Sequence, residues 1–216
     1  QGTIEAKLSM LRGVATEIVG AGRTDTGVNA SFYTAHFDAD SAVDTAQLTY
    51  KLNKVLPPDI AILRIYEVEP TRHARFDARQ REYTYYLTPH KSPFRRHSAW
   101  HYNVDLDIEK MNSAAALLLD YDDFTSFAKL NSNNKTNICH IFHAEWVVES
   151  DGTLRFTIRA DRFLRNMVRA IVGTLVDVGR GRYSVEEFDD IIRSRDLSRS
   201  SAGAPACGLF LSAVKY

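Results

Sequence analysis

The chain has 216 residues, 44% of them hydrophobic, and balances 27 basic against 27 acidic side chains; this is ordinary globular content for one large domain or two small ones, and it argues against disorder. The longest unbroken apolar run, Ala114 to Leu119, falls far short of the ~20 residues of a membrane-spanning helix, and no basic segment leads into an apolar one as in a secretory signal. The two cysteines, Cys139 and Cys207, are far apart and lack metal-ligand or redox spacing, so they read as reduced thiols of a cytoplasmic protein, and metal clusters and disulfide scaffolds are set aside.

In chain order, Ile4, Leu8 and Leu11 keep helical spacing, and the apolar pair Ile18–Val19 runs into a glycine-rich loop. Residues 31–37 alternate Phe32, Thr34 and His36 against Tyr33, Ala35 and Phe37, which predicts a strand. A helix from Thr45 to Val55 should stop before Pro57 and Pro58, since proline disfavours helical geometry in the residue before it. Residues 60–68 and 81–88 read as further strands. Asp105 or Asp107 can cap a helix through Leu119. Strands over 142–149 and 154–160 are joined by Asp151-Gly152, a strong hairpin signal. Ser184 with Glu187 makes a capping box for a helix through Arg193, and a last strand covers 208–216. Helix and paired strands occur twice, without regular strand–helix alternation. The predicted class is therefore α+β, with an N-terminal half over residues 1–70 and a C-terminal half over 71–216, rather than a doubly wound parallel sheet.

Charge is unevenly placed along the chain. Residues 1–70 carry six basic and nine acidic groups, 71–101 seven and two, 102–151 three and nine, and 152–216 eleven and seven. Arginine supplies 19 of the 27 cations, which favours planar, bidentate contacts to phosphate or carboxylate, although base composition of a genome also raises arginine. Arg72, Arg75, Arg79, Arg81, Arg95 and Arg96 form one block, and the run from Arg162 to Arg182 forms the other.

The loop Gly20-Ala21-Gly22-Arg23-Thr24-Asp25-Thr26-Gly27 can turn tightly and approach a ligand closely. It lacks the lysine and serine of a P-loop. Asp25 either caps a turn by bonding its own backbone or presents a carboxylate to a cleft. Downstream, Arg162, Arg165 and Arg169 share one helical stripe and Phe163, Met167, Ile171 and Leu175 another. Three like charges on one stripe need an anion, which RNA phosphate or Asp25 could supply; a solvated helix face is the alternative. On the strand from Arg81, the side chains of Tyr83, Tyr85 and Leu87 point to one side.

Gly22-Arg23-Thr24-Asp25-Thr26-Gly27-Val28, followed by Asn29-Ala30, resembles the catalytic loop of the TruA-type tRNA pseudouridine synthases. Arg81-Glu82-Tyr83-Thr84-Tyr85 is similar to that family's second motif, and Phe163-Leu164-Arg165-Asn166-Met167-Val168-Arg169 with Gly173 to its third. Gly208-Leu209-Phe210-Leu211 is similar to its last strand, so the matches fall in family order from Gly20 to Tyr216. In two places the chain departs from the pattern. Asn29 stands where the family usually has histidine, and the chain opens at Gln1-Gly2-Thr3-Ile4, near the family's first helix, without its N-terminal strand.

The resemblance implies two ferredoxin-like (RRM-like) halves whose mostly antiparallel sheets continue as one around a central cleft. It implies isomerisation of uridine to pseudouridine in the anticodon stem-loop of tRNA, at the neighbouring uridines numbered 38, 39 and 40 in tRNA. Asp25 would be the nucleophile, Arg169 its cationic partner, and Tyr83 the ring that stacks on the extruded base and aids proton transfer at C5. Leu209 would pack on the other face of the uracil, and Arg23 would occupy the space that the flipped nucleotide fills. Arg162 and Arg165 would bind substrate. The resemblance further implies a homodimer, and the reaction calls for no cofactor and no metal. Two rivals differ in class. A non-catalytic RNA-binding module of two ferredoxin-like halves would need neither Asp25 nor Arg169, and a hydrolase would pair Asp25 with His36 or His73.

Overall fold

The computed structural model describes residues 1–129 and 135–216. In chain order its elements are α1 (Gly2–Arg12), β1 (Val19–Gly20), β2 (Asn29–Ala30), β3 (Ala35–His36), α2 (Thr45–Val55), β4 (Gln80–Thr88) and β5 (Trp100–His101). They continue with α3 (Ile108–Leu117), β6 (Ile141–Val148), β7 (Leu154–Ala160), α4 (Met167–Gly179), α5 (Val185–Ser194) and β8 (Leu209–Lys215). The class is α+β, with open sheets. No helix among the described residues is long and apolar enough to cross a membrane.

The chain divides into two compact units, residues 1–23 with 34–78 and residues 24–33 with 79–216. In the first, α1 ends at Gly13, whose φ of 70° allows its N–H to close on the Ser9 carbonyl at 2.9 Å. Asp44 caps α2 by accepting the Gln47 N–H at 2.9 Å. The two helices bury Leu8, Leu48 and Leu52 with Ile18, and β1 pairs antiparallel with β3.

Two expected strands are cut down here. The run over 31–37 is divided, because Asn29 and Ala30 pair with β8, the Ser31 and Phe32 N–H groups close on the Leu211 carbonyl at 3.0 and 3.3 Å, and only Ala35 and His36 pair with β1. Residues 60–68 form no regular strand. The side-chain amide of Asn53 takes the Ile62 N–H and donates to the Ile62 carbonyl, both at 2.8 Å, so a side chain replaces a ladder partner there.

The second unit is a six-stranded sheet in the order β2-β8-β4-β7-β6, with β5 paired parallel to the end of β4. β4 is central, antiparallel to both β7 and β8. Tyr85 faces Phe156 on one neighbour and Leu209 on the other, and Tyr83 faces Ile158 and Leu211. These side chains share one face; Tyr85, Phe156, Ile158 and Leu209 join Met111 of α3, Val172 of α4 and Phe188 of α5 in the main core, and Tyr83 packs against it. Asp107, not Asp105, caps α3, and Ser184 and Glu187 close the capping box of α5.

Every residue of α4 except Arg169 is buried. A helix buried on nearly every side belongs in a core, and both of its charged residues are paired, Asp177 with Arg180 and Arg182 and Arg169 with Asp25. The expected basic stripe is corrected. Asn166 takes φ 65°, a left-handed conformation that interrupts helical geometry, so α4 begins only at Met167, and Arg162 and Arg165 lie on the preceding loop.

Candidate active site

Asp25 sits in a tight turn whose carbonyl accepts the Val28 N–H at 3.1 Å. Gly27 makes that turn possible at φ 84°. Directly after it, β2 pairs parallel to β8, and the Asn29 amide donates to the Cys207 carbonyl at 2.9 Å and the His97 carbonyl at 3.2 Å. Asn29 thus ties the loop to the segments just before β8 and β5 through backbone carbonyls, which an amide does without any titratable ring.

The Asp25 carboxylate meets two guanidinium groups. Arg169 Nη1 donates to Oδ2 at 3.3 Å and Arg165 Nε to Oδ1 at 3.5 Å. The two arginines are held differently. Arg169, its side chain 23% exposed, also donates Nε to the Ala204 carbonyl at 2.7 Å, and its own carbonyl accepts the Ala204 N–H at 2.9 Å. The side chain of Arg165 is 59% exposed, and Asp25 is its one side-chain partner among the described residues. The loop carrying Ala204 lies close against α4 because residue 173 is glycine: a Cβ there would collide with the Ala202 carbonyl oxygen.

These groups open on a cavity of about 430 Å³ lined by Asp25, Thr26, Lys129, Arg165, Asn166, Arg169 and Leu197. Thr26, Lys129, Asn166 and Leu197 were not among the site residues expected from sequence. Lys129 and Leu197 come from separate segments, and only tertiary contact brings them together. Asn166 stood in plain view inside the third motif, where its left-handed turn carries no sequence signal stronger than asparagine's tolerance of positive φ.

Tyr83 lies half-buried on β4, its ring edge-on to Phe163 at 5.1 Å between centroids. Burial pushes its phenol up to about 12, with the charges of Tyr33 and Asp25 acting the same way and Arg81 opposing. The hydroxyl therefore stays protonated far beyond neutral pH. Leu209 is buried at the start of β8 beside Tyr85, whose hydroxyl donates to the Pro205 carbonyl at 2.9 Å. Arg162 lies near Cys139, where its charge partly offsets the effect of burial on that thiol. Arg23 is exposed and belongs to the first unit. His36 and His73 also belong to the first unit, with ring centroids 4.8 Å apart. His36 Nδ1 accepts the Ala74 N–H at 3.0 Å, and His73 Nδ1 accepts those of Arg75 and Phe76 at 3.1 Å. Those bonds commit the Nδ1 atoms that a hydrolytic pair would need free for orientation or proton transfer.

Two guanidinium groups on one carboxylate, on a turn joined to a mixed sheet and a buried helix, make a site that holds and aims a single acidic side chain. The class to which it belongs is given by residues 114–216, which match the tRNA pseudouridine synthase family. Over 202 residues the chain is 54% identical to tRNA pseudouridine synthase A of Bacteroides thetaiotaomicron, covering 93% of this chain and 75% of that protein. It is 50% identical to the Parabacteroides distasonis protein of the same name over 217 residues, covering 100% and 86%. The similarity reaches Bacillus licheniformis, whose tRNA pseudouridine synthase A is 39% identical over 92% of this chain and 81% of that protein. The chain belongs to the tRNA pseudouridine synthase A family.

Proposed function

We propose that this chain isomerises uridine to pseudouridine in the anticodon stem-loop of tRNA, with Asp25 as its nucleophile. The family supports the reaction, and one observation carries the site: the Asp25 carboxylate stands between two guanidinium groups at the mouth of a cavity. The reaction breaks the bond from C1′ to N1, turns the uracil, and joins C1′ to C5. The hydrogen on C5 leaves and N1 gains one, so the balance closes without a redox step or an added group. The target base must leave its stack to reach a carboxylate held this way.

In this reading each side chain has a separate task. Arg169, clamped by Ala204, pairs with the Asp25 carboxylate and aims it. Tyr83, protonated at neutral pH, stacks on the extruded base and offers a hydroxyl for the proton at C5. Leu209 backs the other face of the uracil, Arg23 fills the place of the flipped nucleotide, and Arg162 and Arg165 contact the RNA. The site uses no metal and no cofactor. Cysteine usage supports a cytoplasmic setting and the family resemblance a homodimer, and sedimentation of the purified protein with and without tRNA tests the second.

The experiment is tRNA carrying uridine tritiated at C5. The protein should release tritium and yield pseudouridine in the anticodon stem-loop. Asp25→Ala should release none while melting and binding tRNA much as the parent does. Substantial turnover by Asp25→Ala sinks the assignment of the nucleophile, and no turnover by the parent on any tRNA sinks the reaction.

A further inference from the structure

The cavity beside Asp25 holds more positive charge than its carboxylate balances. Lys129, Arg165 and Arg169 face a single anion. Arg169 is committed to Ala204 and to Asp25. The other two cations are not committed in this way. Arg165 reaches Asp25 only at 3.5 Å and is otherwise open to solvent, and the Lys129 ammonium has no partner among the described residues. Their backbones adjoin, since the Lys129 N–H donates to the Arg165 carbonyl at 3.2 Å. One hydrogen bond therefore anchors the two residues next to each other, and both line the same cavity.

We propose that Lys129 and Arg165 seat a phosphodiester group flanking the target uridine, and that Arg165 leaves Asp25 to do so. This rests on the reading of the chain as a tRNA uridine isomerase and names the part of the substrate that this wall takes. A fork and a point charge together complement a phosphate, which accepts from several directions. One phosphodiester lowers the surplus at the cavity from two positive charges to one. The exchange is selective because of how the two arginines are held. Arg165, long in its contact and unanchored, gives up Asp25 readily, while the Ala204 clamp keeps Arg169 on it. Seating the phosphate thus uncovers one carboxylate oxygen and leaves the other paired, so binding and exposure of the nucleophile occur together.

The test uses anticodon stem-loop RNAs in which the phosphate on the 5′ or 3′ side of the target uridine is a neutral methylphosphonate, beside the natural RNA. Affinities are measured over a salt series for the parent protein, Lys129→Gln and Arg165→Gln, with thermal melts to verify folding. Lys129→Gln should bind natural RNA roughly tenfold more weakly, with a salt slope reduced by about one. One of the two methylphosphonates should weaken the parent at least as much, and each variant should be less sensitive to that same replacement than the parent is. If the losses from variant and methylphosphonate simply add, or if Lys129→Gln binds natural RNA as the parent does, the phosphate seat is refuted. These affinities are read without turnover. A protein that forms no pseudouridine but shows the non-additive pattern keeps the seat and loses the reaction, and a protein that turns over but shows additive losses does the opposite.

Discussion

Arg169 and Ala204 are joined twice: the arginine Nε donates to the Ala204 carbonyl at 2.7 Å, and the Ala204 N–H donates to the Arg169 carbonyl at 2.9 Å. With Nε occupied, the guanidinium has its plane fixed and Nη1 falls toward Asp25 at 3.3 Å. Reading the pair as a clamp gives it two independent weak points. An ammonium cannot serve the carbonyl and the carboxylate with a rigid fork, so Arg169→Lys should lose much of the activity with little change in tRNA affinity. Gly173→Ala touches neither Asp25 nor Arg169, yet its Cβ would collide with the Ala202 carbonyl oxygen and force the loop away from α4. Overpacking of this kind costs about 1–3 kcal/mol, so the variant should melt lower and lose kcat. A Gly173→Ala protein with the parent's rate would separate the loop from the chemistry.

Tyr83→Phe keeps a ring that can stack and removes the hydroxyl. If that hydroxyl helps move the C5 proton, the single-turnover rate should fall by roughly 10²–10⁴-fold, with tRNA affinity nearly unchanged because phosphate contacts dominate binding. An unchanged rate would confine Tyr83 to stacking.

The same phenol bears on the pH dependence. Its value rises from an ordinary 10 to about 12 through burial, so no ionisation of Tyr83 should appear in the rate profile between pH 6 and roughly 10. A group raised in the folded state contributes stability that is whole below its unfolded value and is lost as pH climbs through the folded one. Tyr83 therefore contributes to a loss of stability between about pH 10 and 12. Cys139, raised by burial from 9 to about 12, begins the loss about one unit earlier. Denaturant midpoints followed across this range should fall, and Cys139→Ala should flatten the part of the fall nearest pH 9. A midpoint independent of pH up to 12 would contradict both shifts.

The elements legible in the sequence were those made by near neighbours. The Thr45–Val55 helix lies between its Asp44 cap and the prolines; Asp107 starts α3; the Ser184–Glu187 box closes with bonds of 3.1 and 2.7 Å; and Gly152 turns the β6–β7 hairpin at φ 78°. Each depends on a few residues within one turn, so composition at fixed offsets is enough. The α+β class followed from their order. The elements that differed were those whose partners lie far away. Residues 60–68 had the look of a strand, but Asn53 took the bonds of Ile62; residues 31–37 divided because β8 claimed the chain just before them.

The site divides in the same way. Sequence alone set the chemistry available, since a carboxylate between glycines, a tyrosine strand and an arginine-rich motif can be named from residue types and family resemblance. Only the tertiary structure decided which arginines meet Asp25, and how. Helical periodicity made Arg162, Arg165 and Arg169 equivalent, but a left-handed residue at Asn166 put the first two on a loop and the third on a buried helix. Arg162 lies near Cys139, Arg165 makes a long exposed contact, and Arg169 is fixed by Ala204, 35 positions further along the chain. The clamp, the packing allowed by Gly173 and the presence of Lys129 at the cavity all depend on such contacts between distant residues. Periodicity carries no information about them, because their energy exists only once the sheet and α4 have closed on one another.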